Sequence, residues 1–134
     1  MVIVTKEGAR ALGDVSVNCS VEVCACYPIT PTTHLTEELA KQYADGKIAQ
    51  YITVESEFSA LSALVGASAV GARTLTTTGG QGLLLMHEVL HSAAGMRLPI
   101  VMVVGNRAVS SPLNIWNDEQ DTISQRDTGW IQIY

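Results

Sequence analysis

The feature that most constrains this chain is a repeated alternation. Short runs of apolar and β-branched residues are each followed by a segment with helical spacing, and each run ends in polar residues or glycine. "VEVCACY" (residues 21–27) reads as a buried strand, and "PITPTT" breaks it with two prolines before the helix "HLTEELAKQYAD", capped by Thr32 or Thr33 and closed by Gly46. "KIAQYITVE" is a second strand, and "EFSALSALVGASAVGA" a helix capped by Ser56. "RTLTTT" is a third strand, followed by "GGQG" and the helix "LLLMHEVLHSAAGM". "LPIVMVVG" is a fourth, of the continuous kind expected to be buried on both faces. A long polar loop, a short helical piece near "TISQRD" and a last strand, "WIQIY", complete the reading. Strands and helices alternating at this spacing imply right-handed crossovers and a parallel sheet covered on both faces, a three-layer α/β domain.

That architecture gives the polar residues a meaning, because ligands of open parallel sheets bind at the carboxyl edge of the strands. Thr30 follows the first strand, Glu57 the second, residues 79–82 the third, and Asn106 and Arg107 the fourth, so all four ends are expected to line one crevice. Each residue also has a plainer reading. Glu57, like Glu55, fits a carboxylate stabilised at a helix N-terminus by about 0.3 to 1 kcal/mol. The small residues of the helix that follows fit tight packing. "TTGGQG" could leave backbone N–H groups free for an anion, but it matches neither G-x-x-x-x-G-K-[ST] nor G-x-G-x-x-G. Arg107 could take a carboxylate in bidentate fashion or pair with Asp118 or Asp121 in its own loop. His87 and His91 have ligand spacing without a third ligand nearby, which favours a partner-interface or core role over a metal site.

Composition narrows the classes. The 134 residues suit one domain; 47% are apolar and only 16% charged, so part of the surface is expected to be covered by another subunit. The net charge of −5, with no basic cluster, argues against a nucleic-acid surface. No apolar run reaches membrane-spanning length and the N-terminus lacks a signal-peptide core, so a cytoplasmic protein is expected. Cys19, Cys24 and Cys26 read as reduced core cysteines and lack iron–sulfur cluster spacing.

"YPITPTT", "VESEFSALSALVGASAVGARTLTTTGGQGLLLMHE", "AAGMRLPIVMVVGNRAVSSPLNIWNDEQD" and "RDTGWIQIY", in this order and each at a strand end, resemble the α-subunit or first domain of pyruvate:ferredoxin oxidoreductase and its 2-oxoacid:ferredoxin relatives. The likeness covers residues 27–134, and it implies that residues 1–134 are the pyrimidine-binding domain of a thiamine diphosphate enzyme. It also implies that Glu57 holds the ring nitrogen of the aminopyrimidine and supports its imino tautomer, which deprotonates the thiazolium carbon. By the same likeness Thr30 and Arg107 hold the keto-carboxylate end of the substrate, and Gln81 is carried over as a residue lining the cofactor. The sequence departs from the family at its first helix, where "TKEGARALGDVSVNCS" keeps little of a G-N-x-A-like opening, and at Gly79 and Gly80, where relatives often have Ser or Ala.

The implied reaction is oxidative decarboxylation of pyruvate to acetyl-CoA and carbon dioxide with reduction of ferredoxin, or the reverse. Mg2+ with the diphosphate ligands, and the iron–sulfur clusters, would come from partner chains: a diphosphate-binding β subunit, a γ subunit and a ferredoxin-like δ subunit. A branched-chain 2-oxoacid enzyme is the nearest rival, and an interaction fragment without chemistry of its own is the rival from another class. Because "WIQIY" stops without the helix that should follow a core strand, the chain is expected to be a fragment truncated at its C-terminus, inactive alone.

Overall fold

A computed structural model describes residues 3–110 and 112–134. Four parallel strands form one sheet: β1 (Val23–Cys26), β2 (Gln50–Thr53), β3 (Thr74–Thr78) and β4 (Ile100–Val104), in the order β2-β1-β3-β4. Between and around them lie α1 (Gly8–Asn18), α2 (Thr33–Ala44), α3 (Glu57–Ala69), α4 (Gln81–Leu85) and α5 (His87–Gly95). The chain then runs through α6 (Gln120–Ile123) and a 3-10 turn, Arg126–Thr128.

The order explains the layers. From β1 the chain steps one way to β2, then back across β1 to β3 and onward to β4. Right-handed crossovers therefore put α2 on one face and α3 to α5 on the other. Two cores match this division. Leu35, Leu39, Ile48, Cys24, Cys26 and Leu75, with Ala9 and Val17 of α1 against them, fill one face; Ala60, Leu61, Leu64, Met86, Leu90 and Ile100 fill the other. Each such buried leucine or isoleucine contributes about 1.5 to 3 kcal/mol. The three-layer α/β reading holds.

The "TKEGARALGDVSVNCS" segment does form a helix, α1, which packs closely on α2: a Cβ at Gly13 would lie 2.5 Å from Glu38 Cγ. Arg10 Nη1 donates to the buried Glu38 at 3.3 Å across this contact.

Several local expectations need correction. β4 is not buried on both faces: it is an edge strand, and Val101 is 57% exposed because the opposite-face core reaches only Val103 of this strand. "WIQIY" forms no strand; side chains tether it instead, with Trp130 Nε1 donating to Leu90 O at 2.9 Å and Gln132 Nε2 to Thr122 O at 2.9 Å. The helix expected from residue 83 starts at Gln81 and breaks at Met86 into α4 and α5. Neither threonine caps α2 with its side chain; the Thr32 hydroxyl turns back to Ile29 O. Ser56 does cap α3, accepting from Ser59 N–H at 3.2 Å.

The free cysteines also divide. Cys24 and Cys26 are buried, and burial pushes each thiol up to about 12, but Cys19 is exposed and not a core residue. No helix among the described residues is long and apolar enough to cross a membrane.

Candidate functional site

β1 and β3 are neighbours whose following helices lie on opposite faces of the sheet, so a crevice opens at their carboxyl ends. All four strand ends contribute to this region. From β4, Arg107 reaches across the β3 loop: its Nη2 donates to Gln81 Oε1 at 2.6 Å, and its Nη1 to the Thr30 carbonyl, after β1, at 3.0 Å. From the β2 end, Glu57 opens α3 and touches the same β3 loop at Gly82.

The loop can receive both side chains because it is built from glycine. A Cβ at Gly80, whose φ is 53°, would stand 2.6 Å from Arg107 Nε. One at Gly82 would stand 2.5 Å from Glu57 Oε1 and 2.6 Å from Thr78 Oγ1. Gly79 and Gly105 are equally tight, with an added Cβ at Gly79 only 2.3 Å from Gly105 O. Gly82 falls within residues 79–82 expected to line the crevice, whereas Thr78, at the end of β3, has no signal in the sequence beyond its place before "GGQG".

The electrostatics of the two charged groups are unusual. Glu57 is 6% exposed, and no hydrogen-bond or ion-pair partner for its carboxylate is found among the described residues. The nearby Thr78 hydroxyl is buried and has no partner either. Arg107 is 9% exposed, its guanidinium donates only to neutral acceptors, and it keeps a buried Nε without a partner. Burying charge without compensation is costly. Glu55, by contrast, is exposed; the Ser59 hydroxyl donates to it and holds its carboxyl below the usual carboxylate range.

Neither Asp118 nor Asp121 pairs with the Arg107 guanidinium among the described residues. Asp118 caps the backbone at Gln120 N–H (3.0 Å), and Asp121 accepts from the backbone N–H of Arg107, not from its guanidinium. Asp121 also accepts from Gly80 N–H at 2.8 Å, so the glycine loop does not present that N–H to a phosphate. His87 and His91 stack edge to face with ring centroids 4.9 Å apart, and His87 Nδ1 lies 2.5 Å from Gln125 Oε1. Both imidazoles are exposed, which removes the core reading, and no three-ligand metal cluster occurs among the described residues.

The family described as "Pyruvate flavodoxin/ferredoxin oxidoreductase, thiamine diP-bdg" matches residues 14–134. Pyruvate synthase subunit PorA of Methanosarcina barkeri is 59% identical over 134 residues, covering 98% of this chain and 33% of that protein. PorA of Pyrococcus abyssi is 66% identical over 114 residues, with 84% and 29% covered. Ketoisovalerate oxidoreductase subunit VorA of Pyrococcus furiosus is 55% identical over 128 residues, with 95% and 32% covered. The chain thus spans about a third of the length of the curated relatives it matches. Among solved structures, a 2-oxoglutarate:ferredoxin oxidoreductase from Magnetococcus marinus, with 2-oxoglutarate, coenzyme A and succinyl-CoA bound, superposes with a TM-score of 0.75 at 28% identity, over 82% of this chain and 19% of that one.

Proposed function

The chain belongs to the thiamine diphosphate-binding family of pyruvate flavodoxin/ferredoxin oxidoreductases, and from that premise we propose that residues 1–134 supply the pyrimidine-binding half of a 2-oxoacid:ferredoxin oxidoreductase acting on pyruvate. The observation that carries this reading is the pair of buried charges, Glu57 and Arg107, set on either side of one glycine turn, neither in an ion pair among the described residues. A coenzyme with a protonatable ring and a substrate with a carboxylate fit those two needs. The relatives named PorA support pyruvate as the substrate. A second reading, a branched-chain 2-oxoacid enzyme, is favoured by the 55% identity to VorA; competition between pyruvate and 2-ketoisovalerate for the assembled enzyme separates the two.

When bound, thiamine diphosphate supplies a carbon nucleophile and a sink for the electron pair released on decarboxylation. Glu57 accepts a hydrogen bond from the ring nitrogen of the aminopyrimidine, and its negative charge favours the proton's residence at that nitrogen. Burial strengthens this interaction, since few waters screen it. Gly82 lets the ring edge and the carboxylate approach, and Gln81 lines the cofactor while holding Arg107 Nη2. Arg107 binds the substrate carboxylate, aimed by its bond to the Thr30 carbonyl, and Thr30 borders the keto group.

Coenzyme A as acyl acceptor accords with the structural relative, which holds coenzyme A and succinyl-CoA. Mg2+ and its diphosphate ligands, the iron–sulfur clusters and the contact with ferredoxin are assigned to β, γ and δ partner subunits, in the cytoplasm. The test is pyruvate-dependent reduction of ferredoxin by the full-length subunit assembled with its partners, with and without coenzyme A and thiamine diphosphate. Turnover that persists in a thiamine-free enzyme would overturn the reading.

A further inference from the structure

The proposed function gives no role to Asp121, the most enclosed charged group of the site. Its side chain is 0% exposed, yet no cation pairs with it among the described residues. It accepts hydrogen bonds instead: from Gly80 N–H (2.8 Å) and Arg107 N–H (3.0 Å) at Oδ2, and from Asn106 Nδ2 (2.9 Å) and Thr122 N–H (2.8 Å) at Oδ1. Such a set replaces the hydration a buried carboxylate gives up.

The choice of donors is informative. One oxygen atom fixes the backbone of both Gly80 and Arg107, and these two residues are also in direct contact, since a Cβ on Gly80 would fall 2.6 Å from Arg107 Nε and 3.1 Å from Cζ. Asp121 therefore sets both the root of the Arg107 side chain and the wall along which its guanidinium lies. It does this without touching the guanidinium, whose forks go to Gln81 and Thr30. A carboxylate bound to the guanidinium would occupy the donors an incoming anion needs, whereas one bound to the backbone orients the cation and leaves those donors to neutral acceptors.

We propose that Asp121 is a positioning residue for Arg107: from α6 it ties the β3 and β4 loops together so that the guanidinium meets the carboxylate of the 2-oxoacid. The proposal rests on the reading of Arg107 as the group that binds that carboxylate. Asn in place of Asp121 keeps the shape but turns an amide donor toward existing donors, which loosens the tie.

The experiment uses the full-length subunit assembled with its partner chains and compares Asp121→Asn, Arg107→Ala and the double variant by KM for pyruvate, kcat and Kd for thiamine diphosphate. Asp121→Asn is expected to raise KM about tenfold, the scale of one charge-assisted hydrogen bond, with cofactor affinity unchanged. On the Arg107→Ala background it should add nothing, as two groups acting through one another behave in a double-mutant cycle. An equal further rise on that background, or a lowered melting temperature with KM unchanged, would overturn the proposal and leave Asp121 a structural tie. If Arg107→Ala itself leaves KM unchanged, the underlying reading of Arg107 fails, and this proposal with it. Should Asp121→Asn fail to assemble, Gly80→Ala displaces the guanidinium with Asp121 intact; an unchanged KM there overturns the proposal.

Discussion

Replacing Glu57 with Gln should move stability and activity in opposite directions. Glu57 is 6% exposed, and its carboxylate has no partner among the described residues. Loss of hydration without a replacing partner costs a polar group in such a place roughly 1 to 3 kcal/mol. The place of Glu57 in the first turn of α3 returns about 0.3 to 1 kcal/mol through the helix dipole. Glutamine keeps the shape and removes the charge, while its amide still lacks partners, so a net gain of about 1 kcal/mol remains. For a domain of this length that is about 4 °C in Tm. Activity of the assembled enzyme should fall by about 2.7 to 4 kcal/mol of barrier, on the order of 100- to 1000-fold, as when a preorganised electrostatic partner is removed elsewhere. The assays are thermal unfolding without cofactor, and exchange of the thiazolium C–H proton with solvent in the complex. A Glu57→Gln protein that melts earlier than the parent would mean that the fold itself uses the carboxylate, and near-normal proton exchange would remove Glu57 from the chemistry.

Three further outcomes follow from the same geometry. Arg107→Lys keeps the charge but loses the fork, so KM for the 2-oxoacid should rise by about 1.5 to 3 kcal/mol of binding while thiamine diphosphate affinity holds; an unchanged KM refutes the role. Gly82→Ala places a Cβ 2.5 Å from Glu57 Oε1 and should weaken thiamine diphosphate binding, read by calorimetry, with equal affinity counting against the Glu57 side of the site. With thiol reagents at neutral pH, exposed Cys19 should react in the native protein and Cys24 and Cys26 only on unfolding. Because burial raises those two thiols from the ordinary 9.0 to about 12, their contribution to stability is complete below pH 9 and fades as pH climbs toward 12; a stability flat across that window, measured by urea unfolding, would contradict their burial.

The parts of the site that could be read from the sequence are those that depend on chain order. A parallel sheet sends every carboxyl end to one edge, so naming the residues after four strands was enough to bring Thr30, Glu57, Gln81 and Arg107 into one region. What could not be read depends on unwritten partners. The apolar run "WIQIY" has strand-like composition, but composition does not say which edge it joins, and here Trp130 and Gln132 bond to Leu90 and Thr122 instead. "LPIVMVVG" looked doubly buried because its β-branched residues do not record their position in the sheet; as β4 it lies at the edge, and Val101 has no helix above it. Asp121 was legible as a partner of Arg107, but not as a partner of its backbone, since main-chain donors at positions 80 and 107 carry no signature in the sequence.

Strand order also explains how a buried carboxylate and a buried guanidinium coexist without neutralising each other. Glu57 enters from the β2 end and Arg107 from the β4 end, the two outer strands of the order β2-β1-β3-β4. At about 4.8 Å per step those strands lie about 14 Å apart, so neither backbone can slide toward the other without breaking the ladder between them. The side chains converge only on the β3 turn, where Gly82 receives Glu57 and Gly80 receives Arg107. Two residues of one turn thus divide the crevice into a side facing the carboxylate and a side facing the cation. A direct Glu–Arg pair would satisfy both groups, and the sheet keeps them separate; under the function proposed above, a ligand that bridges the turn with a protonated ring at one end and a carboxylate-bearing partner at the other would restore the balance.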